Sequence, residues 1–112
     1  KKIVHHLTVK HYGPLLRDGV EIYEYSPGFI HAKHCTNEFS AIVGTINMDF
    51  RSFYTHFENG VWIPDGEVLK DIDNDFENTI KVCRQVTYEE WQKRSYWEQF
   101  IQEVLYFFKC HF

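Results

Sequence analysis

Residues 29–36 and 39–46 are two β-prone runs with only Asn37 and Glu38 between them. Rich in β-branched and aromatic side chains and this close along the chain, they are expected to pair as an antiparallel hairpin. Side chains on a strand alternate between faces, so His31 and Lys33 point one way together, as do Thr45 and Asn47. Such a hairpin can converge an imidazole, a fixed cation and two hydrogen-bonding side chains on one spot. That set suits a phosphate: Lys33 for its charge, Thr45 and Asn47 for its oxygens, His31 for the chemistry itself. Gly44, which has no Cβ, is expected to let a ligand approach the backbone closely.

His31-Ala32-Lys33 followed by Gly44-Thr45-Ile46-Asn47 resembles the phospholipase D superfamily signature, in which His-x-Lys is followed by an Asp and then by Gly-(Thr/Ser)-x-Asn. The flanks extend the likeness. Residues 19–30 lead from Gly19-Val20-Glu21-Ile22 through Ser26-Pro27-Gly28 directly into His31. Met48-Asp49-Phe50-Arg51-Ser52 closes the motif, and His56-Phe57-Glu58-Asn59-Gly60-Val61-Trp62 comes shortly after. This stretch is similar to the second catalytic motif of a bacterial cardiolipin synthase, and the resemblance runs along nearly the whole chain. It implies an α/β fold, a phospholipase D-like mixed sheet flanked by helices. Such enzymes carry two motifs and membrane-spanning segments at the N-terminus. One motif is found here, and the chain opens within helix-like sequence. The expectation is one partial domain, residues 1–112, the C-terminal fragment of one repeat in a longer enzyme.

There is one departure from the pattern. After a gap of four residues from Lys33 the Asp position falls on Glu38, and the gap from there to Gly44 is five residues in place of six. One residue is missing from the hairpin tip, or Asn37 takes the Asp place with no carboxylate there.

The resemblance implies a two-step phosphodiester exchange through a phosphohistidine, in which one histidine attacks phosphorus and another protonates the leaving alcohol. His31, on the second motif, is then the general acid and later the general base. Lys33 and Asn47 stabilise charge on the equatorial oxygens with Thr45, so neither metal nor cofactor is called for. Glu38 stands at the motif's carboxylate position. Glu58, 27 residues after His31, matches the family carboxylate that hydrogen-bonds the catalytic imidazole once the missing residue is allowed for. Arg51 could pair with phosphate or brace Asp49 or Glu58, and the sequence leaves both open. His34 and Cys35 beside His31 invite a metal reading, but alternation sends His34 to the opposite face.

The remaining sequence sets limits. Ten Phe, seven Tyr and three Trp in 112 residues favour a packed globule over disorder. A net charge of −4 argues against a nonspecific nucleic-acid binder. Cys35, Cys83 and Cys110 lack metal-site spacing and read as free thiols of a soluble, cytoplasmic-type piece. No apolar run approaches the roughly 20 residues of a membrane span. The expected order is a helix to about Arg17, interrupted at Gly13-Pro14, then strands at 20–25, 29–36, 39–46 and 57–63. C-terminal helices follow from about 67 to 111: an amphipathic one over 67–86 and, after a Thr87-x-x-Glu90 capping box, one or two more. The aromatic tail 88–112 fits either an interfacial helix on a bilayer or a helix docked on protein.

Three functions fit. The first is a half-site of a phosphatidyltransferase that forms cardiolipin from two phosphatidylglycerol molecules with release of glycerol. Its partners would be the phospholipid and either a first-motif half or a second copy, and the full-length enzyme would sit at the cell membrane. The second is a phospholipase D-type hydrolase or nuclease that completes its site as a homodimer. The third is a non-catalytic interaction module.

Overall fold

A computed structural model describes residues 2–108. In chain order the elements are α1 (Lys2–Lys10), α2 (Tyr12–Arg17), β1 (Ile22–Tyr25), β2 (His34–Thr36), β3 (Ala41–Gly44), a π-helical turn (Arg51–Thr55), β4 (Gly60–Ile63), α3 (Glu67–Ile80), β5 (Cys83–Val86), α4 (Tyr88–Gln92) and α5 (Tyr96–Phe107). The expected α/β class is what forms. The chain divides into two compact units, one made of residues up to Glu24 together with those from Arg84 onward, the other of Tyr25–Cys83. Cys110 and the last residues of the expected helical tail lie outside the described residues.

In the first unit α1 packs against α5 and α2 against α4. The helix breaks at His11, between α1 and α2, and Pro14 stands in the first turn of α2, where its missing amide is tolerated. What decides the geometry there is Trp91. Its indole lies against Gly13, where a Cβ would fall 2.2 Å from the ring, and its Nε1 donates to the Val9 carbonyl at 2.7 Å. That carbonyl belongs to the last turn of α1, where helices run out of internal donors. Lys10 meets Glu103 of α5 at 2.8 Å and lies 3.9 Å over the Tyr106 ring. The Thr87 capping box forms as expected and starts α4. Strands β1 and β5 hydrogen-bond as a two-stranded sheet. An expected helix over 67–86 thus becomes a helix to Ile80 and a strand, since β5 has β1 to pair with and periodicity along one segment does not register a distant partner.

The second unit is a three-stranded antiparallel sheet in the order β2-β3-β4, with α3 contributing Phe76 against the His34 ring at 5.8 Å. Cys35 pairs with Ile42, and Ile42 with Trp62, so these three share one face; His34, Val43 and Val61 share the other. Ala41, in the centre of the sheet, is 1% exposed. The hairpin forms with Glu38-Phe39 at its tip: Asn37 N donates to Ser40 O at 3.0 Å. The Asn37 side-chain oxygen accepts from Phe39 N and Ser40 N, both at 2.8 Å. This Asx turn supplies what the tight loop needs without any left-handed residue.

The expected strand 29–36 is cut to His34–Thr36. The ladder continues to Gly44 N and Lys33 O, 3.2 Å apart, and stops there. In this register the next bond would join Ile46 N to His31 O. The Lys33 ammonium takes that carbonyl instead, at 2.6 Å, and residues 29–32 run without a partner strand.

Candidate active site

The motif residues lie at the open end of the hairpin. Lys33 stands opposite Gly44, the one position of β3 with no side chain, and His31 lies two residues upstream with its ring 6.0 Å from that of Phe29. Lys33 Nζ donates to a carbonyl, so its charge faces no carboxylate at that contact.

From Gly44 the chain crosses to β4. Thr45 N donates to Asn59 O at 2.9 Å, and Thr45 Oγ1 accepts from Asn59 N at 3.0 Å and donates to Glu58 Oε2. Gly44 is required by this crossing. A Cβ there would sit 2.2 Å from the Asn59 carbonyl oxygen and 2.6 Å from Gly60 Cα. The close approach that selects glycine is thus made by the neighbouring strand, and the expected ligand does not enter that argument.

Ser52, 8% exposed, ties the next piece together. Its hydroxyl accepts from Asn47 N at 3.2 Å and hydrogen-bonds Glu58, while its own amide donates to Asp49 Oδ1 at 2.7 Å. Thr45, Asn47 and Glu58 therefore belong to one hydrogen-bonded cluster with Ser52 at its centre. The hydroxyls of Thr45 and Ser52, in that order, hold the Glu58 carboxyl below the usual carboxylate range, helped by the charge of His56 and opposed by partial burial and by Asp49.

Two expected site residues fall elsewhere. Glu58 is committed to Thr45 and Ser52, and among the described residues it makes no hydrogen bond to His31. Glu38 sits at the hairpin tip, five residues and roughly 16 Å of extended chain from Lys33. The pairing that sets Lys33 opposite Gly44 at one end of the hairpin carries Glu38 to the other. The acceptor at the tip is Asn37, the alternative holder of the motif's Asp place.

Ser52 and His56 were not marked as site members by sequence. His56 Nε2 accepts from Arg51 Nε at 2.6 Å, and its spacing of two from Glu58 was the available signal. Among the described residues no cluster of three His, Cys, Asp or Glu side chains is arranged to hold a metal ion.

An open cleft of about 400 Å³ lies in the first unit, lined by Tyr12, Glu24, Arg84, Glu90, Arg94 and other residues, none of them from the motif. Glu24, Arg84 and Glu90 are paired among themselves, while Arg94 donates to the Trp91 carbonyl and to Gln102. Glu24 accepts from Tyr12 at 3.2 Å and from Arg84 at 2.9 Å, and Arg84 also reaches Glu90 at 2.9 Å. Burial, then the neighbouring Glu24, pushes the Tyr12 phenol up to about 12. The network braces β1, β5 and α4.

With this geometry in hand, comparison identifies the class. The family described as cardiolipin synthase, PLD-like domain, matches residues 1–80, and the chain belongs to it. A Clostridium perfringens (strain SM101) cardiolipin synthase is 39% identical over 95 residues, 84% of this chain and 20% of that one. The major cardiolipin synthase of Bacillus subtilis (strain 168) is 37% identical over 102 residues, 90% and 21% respectively. A Streptococcus mutans protein of uncharacterized function is 44% identical over 96 residues, 85% and 21%. The chain spans about a fifth of the length of these relatives. No solved structure matches. No helix of the described residues is long and apolar enough to cross a membrane.

Proposed function

We propose that the chain is a half-site for phosphatidyl transfer between two phosphatidylglycerol molecules, forming cardiolipin and releasing glycerol. The observation that carries this is the pairing of Lys33 with Gly44 at the open end of the hairpin. It sets a cation with no carboxylate at its ammonium contact beside a braced Thr45-x-Asn47. A singly charged phosphodiester is a ligand such an arrangement suits.

In this reading a histidine of a first motif, on another half or a second copy, attacks phosphorus. The bond from phosphorus to the glycerol oxygen breaks, and that oxygen takes a proton from His31. In the second step His31 accepts the proton of the incoming hydroxyl as its oxygen attacks phosphorus and the phosphorus–nitrogen bond breaks. Lys33, Thr45 and Asn47 hold the non-bridging oxygens as charge builds on them. Glu58 serves by keeping Thr45 and Ser52, and through Ser52 the Asn47 backbone, in place. Glu38 is left with Asn37 at the turn that sets the register.

The test is cardiolipin formation on phosphatidylglycerol vesicles. His31→Ala in the whole protein carrying these residues is expected to lower the rate by about 10²–10⁴-fold, the usual contribution of a general acid. Undiminished transfer overturns the reading. The 112-residue chain as a monomer is expected to form no cardiolipin, since it supplies one histidine of the pair. Release of phosphatidic acid in place of cardiolipin by the whole protein would mark it as a hydrolase.

A further inference from the structure

We propose that Arg51, held by His56, is a second phosphate-binding residue of this site and takes the phosphate of the acceptor, the phosphatidylglycerol whose headgroup hydroxyl attacks. The inference rests on the transferase reading.

Arg51 opens the π-helical turn, and its neighbour Ser52 fixes that turn to the Asn47 amide at 3.2 Å. The guanidinium is therefore anchored one residue from the atom that holds the Gly-Thr-x-Asn element. Its Nε donates to His56 Nε2 at 2.6 Å. The acceptor is a ring nitrogen and not a carboxylate, so this contact brings no negative charge to the arginine. The two carboxylates nearest in sequence are engaged elsewhere: Asp49 accepts from Ser52 N, and Glu58 from Thr45 and Ser52. Among the described residues Arg51 forms no ion pair.

Residues 25–83 carry nine carboxylates and four basic side chains. Lys33 and Arg51, the two of those four that flank Gly44-Thr45-x-Asn47, both donate to neutral acceptors. Lys70 and Lys81 form no ion pair either among the described residues, so what distinguishes Lys33 and Arg51 is their place beside Gly44-Thr45-x-Asn47, where an anionic ligand would meet both.

The chemistry asks for two such cations. The donor diester brings one negative charge, the acceptor phosphatidylglycerol brings another, and the product holds both phosphates on one glycerol. Lys33 is a point charge suited to the phosphate undergoing substitution. Arg51, with Nε fixed, presents its two terminal amino groups as a planar pair preorganised for the oxygens of a second.

The experiment titrates the 112-residue chain with glycerol 1-phosphate and with glycerol 1,3-bisphosphate, by calorimetry or by amide shifts of residues 44–58. Wild type is expected to prefer the bisphosphate by about tenfold, the effect of one charge-assisted contact. Arg51→Gln is expected to erase that preference while leaving the monophosphate affinity within about twofold, and Arg51→Lys to keep part of it. Three results overturn the proposal: no binding of either ester, no preference in wild type, or an equal loss for both esters in Arg51→Gln. The last would place Arg51 on the same phosphate as Lys33. Because these are binding readouts, they stand apart from cardiolipin formation, whose absence in the whole protein would remove the transferase reading by itself.

Discussion

The Glu58 carboxylate accepts from two hydroxyls, so its ionised form is the one the fold favours. A carboxyl whose folded pKa lies below its unfolded value stabilises the native state above that unfolded value, here about 4.5, and the contribution is lost as pH falls through the folded one. Glu58→Gln is therefore expected to flatten the acid limb of stability below pH 4.5, measured by denaturant unfolding at several pH values. Coincident limbs for both proteins would count against the hydroxyl clamp. Tyr12 runs the other way. Its phenol is raised to about 12, so its contribution is full below the unfolded value of 10 and fades as pH climbs towards 12. Tyr12→Phe is expected to cost about 1 kcal/mol at neutral pH through the lost bond to Glu24 and to remove that alkaline decline. Thermal unfolding between pH 8 and 11.5 reads both effects.

At the scale of elements, the β2–β3 hairpin is what sequence made most legible. Two short β-prone runs with a polar break pair in one sensible way, and Asn37 is a side chain that caps its own turn. Less legible was where the pairing ends. A β-prone run continues upstream of His34, yet a strand needs a ladder partner, and Lys33 Nζ occupies the His31 carbonyl that would have supplied the next rung. The strand Cys83–Val86 was hidden for the same reason, its partner β1 lying some sixty residues away. Gly44 tests the crossing from β3 to β4. With backbone 2.2 Å from the Cβ position, Gly44→Ala is expected to cost about 1–3 kcal/mol in denaturant unfolding and to shift the Thr45 and Asn59 amides. A neutral substitution would mean that the approach is not tight.

On the scale of the whole molecule, apolar surface exceeds core. Among the described residues the buried apolar side chains are Ala41 and Val86, while Phe57, Met48 and Phe107 are each more than 80% exposed. Helix α5 divides its aromatics, setting Tyr106 against His11 and Lys10 while Trp97 and Phe100 stack on each other at an exposed face. The side of α5 that faces α1 is docked on protein. Exposed apolar area of this extent binds dyes that report it. The chain alone is expected to enhance anilinonaphthalene sulfonate fluorescence under native conditions, at a concentration where light scattering shows no aggregation. Fluorescence no higher than that of a well-packed domain of similar mass would contradict the exposure of these side chains.

Sequence by itself determined the α/β class, the hairpin, a helix break close to Gly13-Pro14, the capping box at Thr87 and the family to which the His-x-Lys motif belongs. These follow from local properties: strand alternation, a missing amide, a side chain that reaches its own backbone. Tertiary structure alone decided that Glu58 is gripped by Thr45 and Ser52, that Glu38 is carried away from His31, and that Arg51 rests on His56 with its charge uncompensated. Each of those depends on which strand lies beside which and in what register. Register is a property of pairs of segments, set by the whole sheet, and residue spacing along one segment does not contain it.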